Sequence, residues 1–175
     1  MVIENNKNLV TKSIDEELDK VEDYIEQALF YARSNTVEKD YYIKKSNLKE
    51  IVNESIKKNK SVLIQEKVEI NMHDLDINVN TDSKWIVFIL SQVIQNSVKY
   101  RNKDNESNFE IYSKHIKENV ILYIKDNGIG IKKGEITRVF EKGFTGTNGR
   151  LSGKKSTGIG LYLCKKLCDK LGIAI

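Results

Sequence analysis

No run of 18 apolar residues occurs anywhere in this chain, and its first residues, MVIENNKNLV, contain no hydrophobic signal region. Both absences predict a polypeptide that is soluble and not secreted. Cysteine is almost missing as well, with Cys164 and Cys168 the two that occur. Four residues apart, they fall on one helix face, a geometry unsuited to a mutual disulfide, and no further Cys or nearby His completes a zinc set. They read as small buried hydrophobes in a reducing, cytoplasmic setting. An excess of one charge is also lacking. Twenty-nine Lys and Arg against 25 Asp and Glu leave a formal charge of +4, too little to imply nucleic acid binding. The distribution is less even. Residues 1–35 hold four basic and eight acidic side chains, whereas residues 132–175 hold ten basic and three acidic, so an anionic ligand would settle toward the C-terminal part.

With 175 residues and 39% hydrophobic content, the chain can bury one sizeable core and leave room for a helical appendage. Ile14, Leu18, Val21, Ile25, Ala28 and Ala32 recur at alternating spacings of four and three, a heptad seam on a bundle-type helix. Acidic residues flank the seam on solvated faces. Its apolar stripe needs a partner, and a second chain is the simplest one; a helix folded back on its own domain is the alternative. After Ser34 and Asn35 comes a short extended piece, DYYIKKS, and then Ser46 is expected to cap a helix, with Glu50 near the capping-box position. That helix would turn Leu48, Ile51, Val52 and Ile56 toward a core. Residues 67–80 alternate enough for two short strands, Asp82 starts a helix reaching about Arg101, and residues 108–126 read as a hairpin turned near Lys117 to Asn119.

From 132 to 157 the pattern gives way to a long loop holding five of the ten glycines, a length that points to function. GIGLYLCKKLCDKLG then places Ile159, Leu163, Leu167 and Leu171 on one helix face, and the final GIAI resembles a strand cut short. The glycines fit no standard phosphate or metal motif. Gly128 and Gly130 are followed by Lys133, and Gly158 and Gly160 by Leu163, where a dinucleotide fingerprint needs a third glycine. Gly149 and Gly153 are one residue too close for a P-loop, and Ile129 and Ile131 interrupt any calcium loop after Asp126. The helix 82–101 adds a polar column, Gln92, Asn96, Lys99 and Tyr100, beside an apolar one. An Asn carbonyl, hard and neutral, suits Mg²⁺ that keeps waters and phosphate oxygens, and Lys99 could bring charge to the same phosphates.

Taken together, SQVIQNSVKYR, DNGIGI, VFEKGFTG and STGIGLYLCKKL resemble, in order and spacing, the Asn box, first glycine box, Phe box and second glycine box of sensor histidine kinases. LDKVEDYIEQALFYARS resembles the end of their second dimerization helix, particularly in the small Gram-positive sensors linked to envelope stress and peptide antibiotics. The resemblance implies an α+β fold, a two-layer α/β sandwich of the kind shared with gyrase, Hsp90 and MutL, its mixed sheet backed by helices. One bundle-type helix would precede it. Residues 1–38 would be the C-terminal part of a dimerization helix and linker, and 39–175 the catalytic domain, ending before its last strand.

Box by box, the resemblance implies Asn96 as the Mg²⁺ ligand, Lys99 on phosphate, Tyr100 on the adenine or ribose side, and Asp126 accepting the adenine amino hydrogen. Gly128, Ile129 and Gly130 would line the purine. Phe140 and Phe144 would anchor a lid bearing Arg150, Lys154 and Lys155, and Thr157, Gly158, Gly160 and Leu161 would face phosphate at a helix start. Asn96, Lys99 and Gln92 form the implied catalytic set. Gln92 stands where ATP-hydrolysing relatives carry a Glu, and an amide cannot act as general base at neutral pH, so phosphoryl transfer fits better than rapid hydrolysis. The implied cofactors are ATP and Mg²⁺, and the implied partners are a phosphoacceptor-His helix of the same kinase, a response regulator and a second subunit; nucleic acid is not among them. Neither His73 nor His115 is expected to be the acceptor, which would lie outside this segment. The whole protein would sit in the cell membrane with this domain in the cytoplasm. An anti-sigma-type serine kinase, and a non-catalytic nucleotide-dependent dimerization module, are the alternatives.

Overall fold

The computed structural model describes residues 2–36, 40–147 and 157–175, and the chain divides into two compact units, Met1–Asp40 and Tyr41–Ile175. The first unit is built on one helix, α1 (Val2–Asn35), uninterrupted in a chain that has no proline. Its heptad seam lies open: Ile14, Leu18, Val21, Ile25, Ala28 and Ala32 are all exposed. Side chains finish the helix. Ser34 Oγ and Asn35 Nδ2 donate to the Tyr31 carbonyl at 2.8 and 2.9 Å, and Thr36 Oγ1 donates to the Arg33 carbonyl at 2.8 Å, satisfying acceptors the last turn leaves unpaired.

In the second unit, β1 (Lys44–Asn47) pairs antiparallel with β3 (Asn78–Thr81). A three-stranded sheet runs β2 (Glu69–His73), β4 (Asn108–Ile116), β5 (Asn119–Asp126), with β2 parallel and β5 antiparallel to the central β4. Helices α2 (Leu48–Lys58), α3 (Lys60–Gln65), α4 (Ser83–Lys99) and α5 (Gly160–Leu171) supply the second layer. Strand alternation explains the core. Ile111 packs with Leu48, Ile51, Val52, Val87 and Leu90, while Phe109 packs with Leu63, Ile94 and Val98. On α5, Leu163, Cys164 and Leu167 are fully buried and Cys168 nearly so. Burial raises both thiols, Cys168 to about 11, as befits the small hydrophobes expected at these positions.

The opposite sheet face carries a stack of rings. His73, Tyr112 and Tyr123 sit side by side in register, with centroids 4.9 and 4.8 Å apart and planes within 9° of parallel. Hydrogen bonds to Asp74, first, and to Glu110 raise the His73 pKa above its ordinary 6.5. His115 is exposed too, its Nδ1 donating to the Lys117 carbonyl at 3.1 Å.

Two local expectations are corrected. The cap of α2 is Asn47, whose side chain accepts from the Glu50 N–H at 3.3 Å; it lies three residues before Glu50, the capping offset, whereas Ser46 lies four before it. Residues 173–175 form no strand: Gly172 closes α5 in the left-handed region, and the Ile173 N–H turns back to the Cys168 carbonyl at 2.9 Å. The expected 132–157 loop contains a 3₁₀ turn at Lys133–Arg138, and its residues 148–156 lie outside those described.

Asp82 starts α4 as anticipated. Its Oδ1 accepts from the N–H groups of Lys84 and Trp85 at 2.9 and 3.1 Å, and its Oδ2 from the Tyr42 N–H at 2.7 Å. Replacing Asp82 by Ala should cost about 1–2 kcal/mol. In a thermal melt that is a drop of roughly 3–6 °C, with Asn restoring most of it.

Candidate functional site

Helix α4 presents two faces of different chemistry because of where its polar residues fall. Phe88, Ile89, Leu90 and Ile94 are buried in the core, and the Gln92, Asn96, Lys99 column runs up a neighbouring face at spacings of four and three. Gln92 is buried. Its Nε2 donates to Gln95 Oε1 at 3.3 Å, and its Oε1 lies 2.7 Å from where a Cβ on Gly160 would stand. The start of α5 therefore abuts Gln92. Asn96, Lys99 and Tyr100 are half-buried; desolvation lowers the Lys99 pKa from its ordinary 10.5, and its Nζ lies 5.4 Å from the Tyr100 ring centre.

The end of α4 meets the end of β5. Asp126, the last residue of the strand, is exposed, and both its carboxylate oxygens are engaged: Oδ1 accepts from the Gly128 N–H at 2.9 Å, and Oδ2 from the Ser97 hydroxyl at 3.3 Å. Ser97 is buried on α4, one residue past Asn96. The Ile129 N–H donates to the Tyr100 carbonyl at 3.0 Å, which brings the backbone of the corner against that of the helix cap. Nothing larger than glycine fits between them. A Cβ at Gly128 would lie 2.7 Å from the Tyr100 oxygen and 2.7 Å from Asp126 Oδ1. Asn127 clips the corner from the other side, with its Nδ2 donating to the Glu106 carbonyl at 2.7 Å and its Oδ1 accepting from the Asn108 N–H at 3.0 Å. Ile129 and Gly130 are exposed, and Gly130 takes a φ of +68°.

The later glycines form a neck. Gly143 N–H donates to the Gly158 carbonyl at 3.0 Å, and a Cβ on Gly158, whose φ is +65°, would fall 2.5 Å from the Gly143 carbonyl carbon. Phe140 and Phe144 are half-buried beside the neck, and the Arg138 guanidinium lies 4.5 Å from the Phe144 ring centre. Thr157 Oγ1 accepts weakly from the Ile159 N–H at 3.4 Å, just ahead of Gly160 and the half-buried Leu161. Glu135, in the 3₁₀ turn, accepts from both the N–H and the hydroxyl of Thr147 at 2.9 and 2.6 Å. Arg150, Lys154 and Lys155 lie outside the described residues.

Sequence reasoning thus named residues that the structure gathers at two places: Lys99, Tyr100, Asp126, Gly128, Ile129 and Gly130 around the α4–β5 corner, with Asn96 one turn back on α4, and Gln92, Gly158, Gly160 and Leu161 around the start of α5. It missed Ser97, Asn127 and Glu135, whose roles are hydrogen bonds to partners remote in sequence. Two open cavities, of about 460 Å³ beside β1 and α2 and about 390 Å³ at Arg138–Thr145, are lined by neither Asn96 nor Asp126. The corner is organised by its hydrogen bonds. Gly128→Ala should displace the Tyr100–Ile129 hydrogen bond and lower stability by about 1–3 kcal/mol. Amide exchange at Ile129 should rise with it, while Ile111 in the core keeps its protection until global unfolding.

Residues 81–175 match the family of histidine kinase-, DNA gyrase B-, and HSP90-like ATPases. The chain is 34% identical over 174 residues to the sensor histidine kinase YxdK of Bacillus subtilis, covering 98% of this chain and 52% of that protein. It is 32% identical over 175 residues to the sensor protein kinase GraS of Staphylococcus aureus, covering 99% and 49%. It spans about half the length of these relatives. Its fold is similar to that of the histidine kinase ThkA solved in complex with the response regulator protein TrrA, with a TM-score of 0.66, 18% identity, and coverage of 91% of this chain and 43% of that one. With the fold and the order of the boxes in agreement, and the family match spanning more than half of the chain, the chain belongs to the histidine kinase-, DNA gyrase B-, and HSP90-like ATPase family.

Proposed function

We propose that residues 41–175 are the ATP-binding catalytic domain of a two-component sensor histidine kinase, passing the γ-phosphoryl group of ATP to a histidine outside this segment. One observation carries the reading: an exposed carboxylate, Asp126, is held by Ser97 and the Gly128 N–H beside a glycine backbone that lies directly on the cap of α4. Each carboxylate oxygen has a further lone pair. Since a carboxylate only accepts and the exocyclic amine of adenine donates, the pairing selects that base edge over one bearing a carbonyl.

Asn96 and Lys99 serve the other half of the nucleotide. Among the described residues no group of three or more His, Cys, Asp and Glu could hold a metal ion. A single neutral amide oxygen fits Mg²⁺ that takes its remaining ligands from water and phosphate. When bound, Mg²⁺ with ATP brings the phosphoryl group and neutralises charge on it. Lys99, half out of water, adds a cation whose attraction for phosphate is stronger than at a fully solvated site. The N-terminus of α5, a helix of 12 residues, offers unpaired N–H groups and a positive dipole end to phosphate oxygens through Gly158, Gly160 and Leu161. Gln92 faces that same helix start. Its amide holds position without taking a proton, which favours transfer to a supplied histidine over transfer to water.

The exposed seam of α1 is proposed to join a second copy and the phosphoacceptor-His helix, with a response regulator as the final acceptor. YxdK and GraS support placing the chain among the Gram-positive sensors. Among the described residues no helix is long and apolar enough to cross a membrane; the whole protein is proposed to be membrane-held with this region cytoplasmic.

Calorimetry with a nonhydrolysable ATP analogue and Mg²⁺ tests the site. Binding should be seen, and Asp126→Asn should weaken it about 10- to 100-fold by putting an NH₂ donor where the base edge donates. Absence of binding, or an unchanged affinity in Asp126→Asn, would falsify the assignment.

A further inference from the structure

Arg101 follows the polar column of α4 and has no role in the reading above, yet its guanidinium is tied down twice. Nη1 donates to the Val98 carbonyl at 3.1 Å, and Nη2 pairs with Glu66 Oε2. The two side chains are mostly buried, 15% and 22% exposed, unlike the ion pairs that line the surface. Glu66 is itself fixed, as the C-cap of α3, with its N–H donating to the Val62 carbonyl at 3.0 Å. A buried guanidinium shared between a carboxylate and a backbone carbonyl holds geometry far better than an exposed ion pair.

What it holds is the peptide between Tyr100 and Arg101. That peptide's carbonyl accepts the Ile129 N–H and stands against Gly128, and its N–H faces the Val98 carbonyl at 3.5 Å. Rotation of this one peptide plane would withdraw the acceptor from Ile129 and move the oxygen that limits the position of Gly128. Gly128 in turn donates to Asp126. We infer that Glu66 and Arg101 are positioning residues for nucleobase recognition: by clamping the exit of α4 to the end of α3, they fix the Tyr100 carbonyl on which the Asp126–Gly130 corner rests. The inference rests on the nucleotide reading of that corner. It also gives the short helix α3 a task beyond filling the core with Leu63: carrying the acid of the clamp.

The isosteric Glu66→Gln variant and the shorter, uncharged Arg101→Gln variant test it, with two readouts. Without nucleotide, amide exchange at Ile129 should quicken about tenfold in each variant while that at Ile111 in β4 does not change. With Mg²⁺, the Kd for the ATP analogue should rise about tenfold, and that for inorganic tripolyphosphate, which has no base, should stay within about twofold. The double variant should be no worse than either single one. Unchanged exchange at Ile129 overturns the clamp. Faster exchange with unchanged ATP affinity, or an equal loss of ATP and tripolyphosphate binding, overturns its role in base recognition. If the unmutated chain binds no ATP analogue, the nucleotide reading fails and takes base recognition with it, while the exchange data still judge whether the clamp holds the corner.

Discussion

The Tyr100 carbonyl, one acceptor at the C-terminal end of α4, organises the region on which the functional reading depends. It receives the Ile129 N–H and leaves no room for a side chain at Gly128, so the strand β5 must turn sharply just as it reaches the helix. Asp126 stands at that turn, with one oxygen held by the turn and the other by Ser97. A helix end normally leaves carbonyls in need of partners. Here one of those unpaired groups becomes the seat of the proposed recognition corner, and Asn127 pins the far side of it to residues 106 and 108.

Helix α4 can serve both purposes because its faces are chemically separate. One is packed against Ile111, Leu48 and Leu63 by way of Val87, Leu90, Ile94 and Val98, which keeps the helix immobile. The neighbouring face carries Gln92, Asn96 and Lys99 past the start of α5. In the proposed function Gln92 also sets the chemistry. A Glu there would be a base aimed at water, whereas the amide, buried against Gly160, makes the same packing contact without proton affinity. On the proposed reading, the site holds a nucleotide intact until another group collects its phosphoryl.

Much of this was legible because periodicity and box order are properties of contiguous residues. The α1 seam, the α4 cap at Asp82, the hairpin turn near Lys117 and the burial of Leu163 and Leu167 all follow from local pattern. The errors are informative for the same reason. Asn47 lies three residues before Glu50, the true capping offset, whereas Ser46 lies four before it. What escaped was set by tertiary pairing: Ser97 with Asp126, 29 residues apart, Glu66 with Arg101, 35 apart, and Glu135 with Thr147, 12 apart. No spacing rule joins such residues, since the fold alone decides which polar side chains meet.

In the proposed site the two glycine clusters serve different halves of one ligand, the DNGIGI corner the base and the STGIG segment the phosphates. Backbone amide shifts recorded with adenosine alone, and then with ATP and Mg²⁺, test that division most directly. Adenosine should move Gly128, Ile129 and Gly130 and leave Gly160 and Leu161 in place, and the full nucleotide should move both sets. Shifts from adenosine centred on Gly160, or none at Gly128 with either ligand, would contradict it.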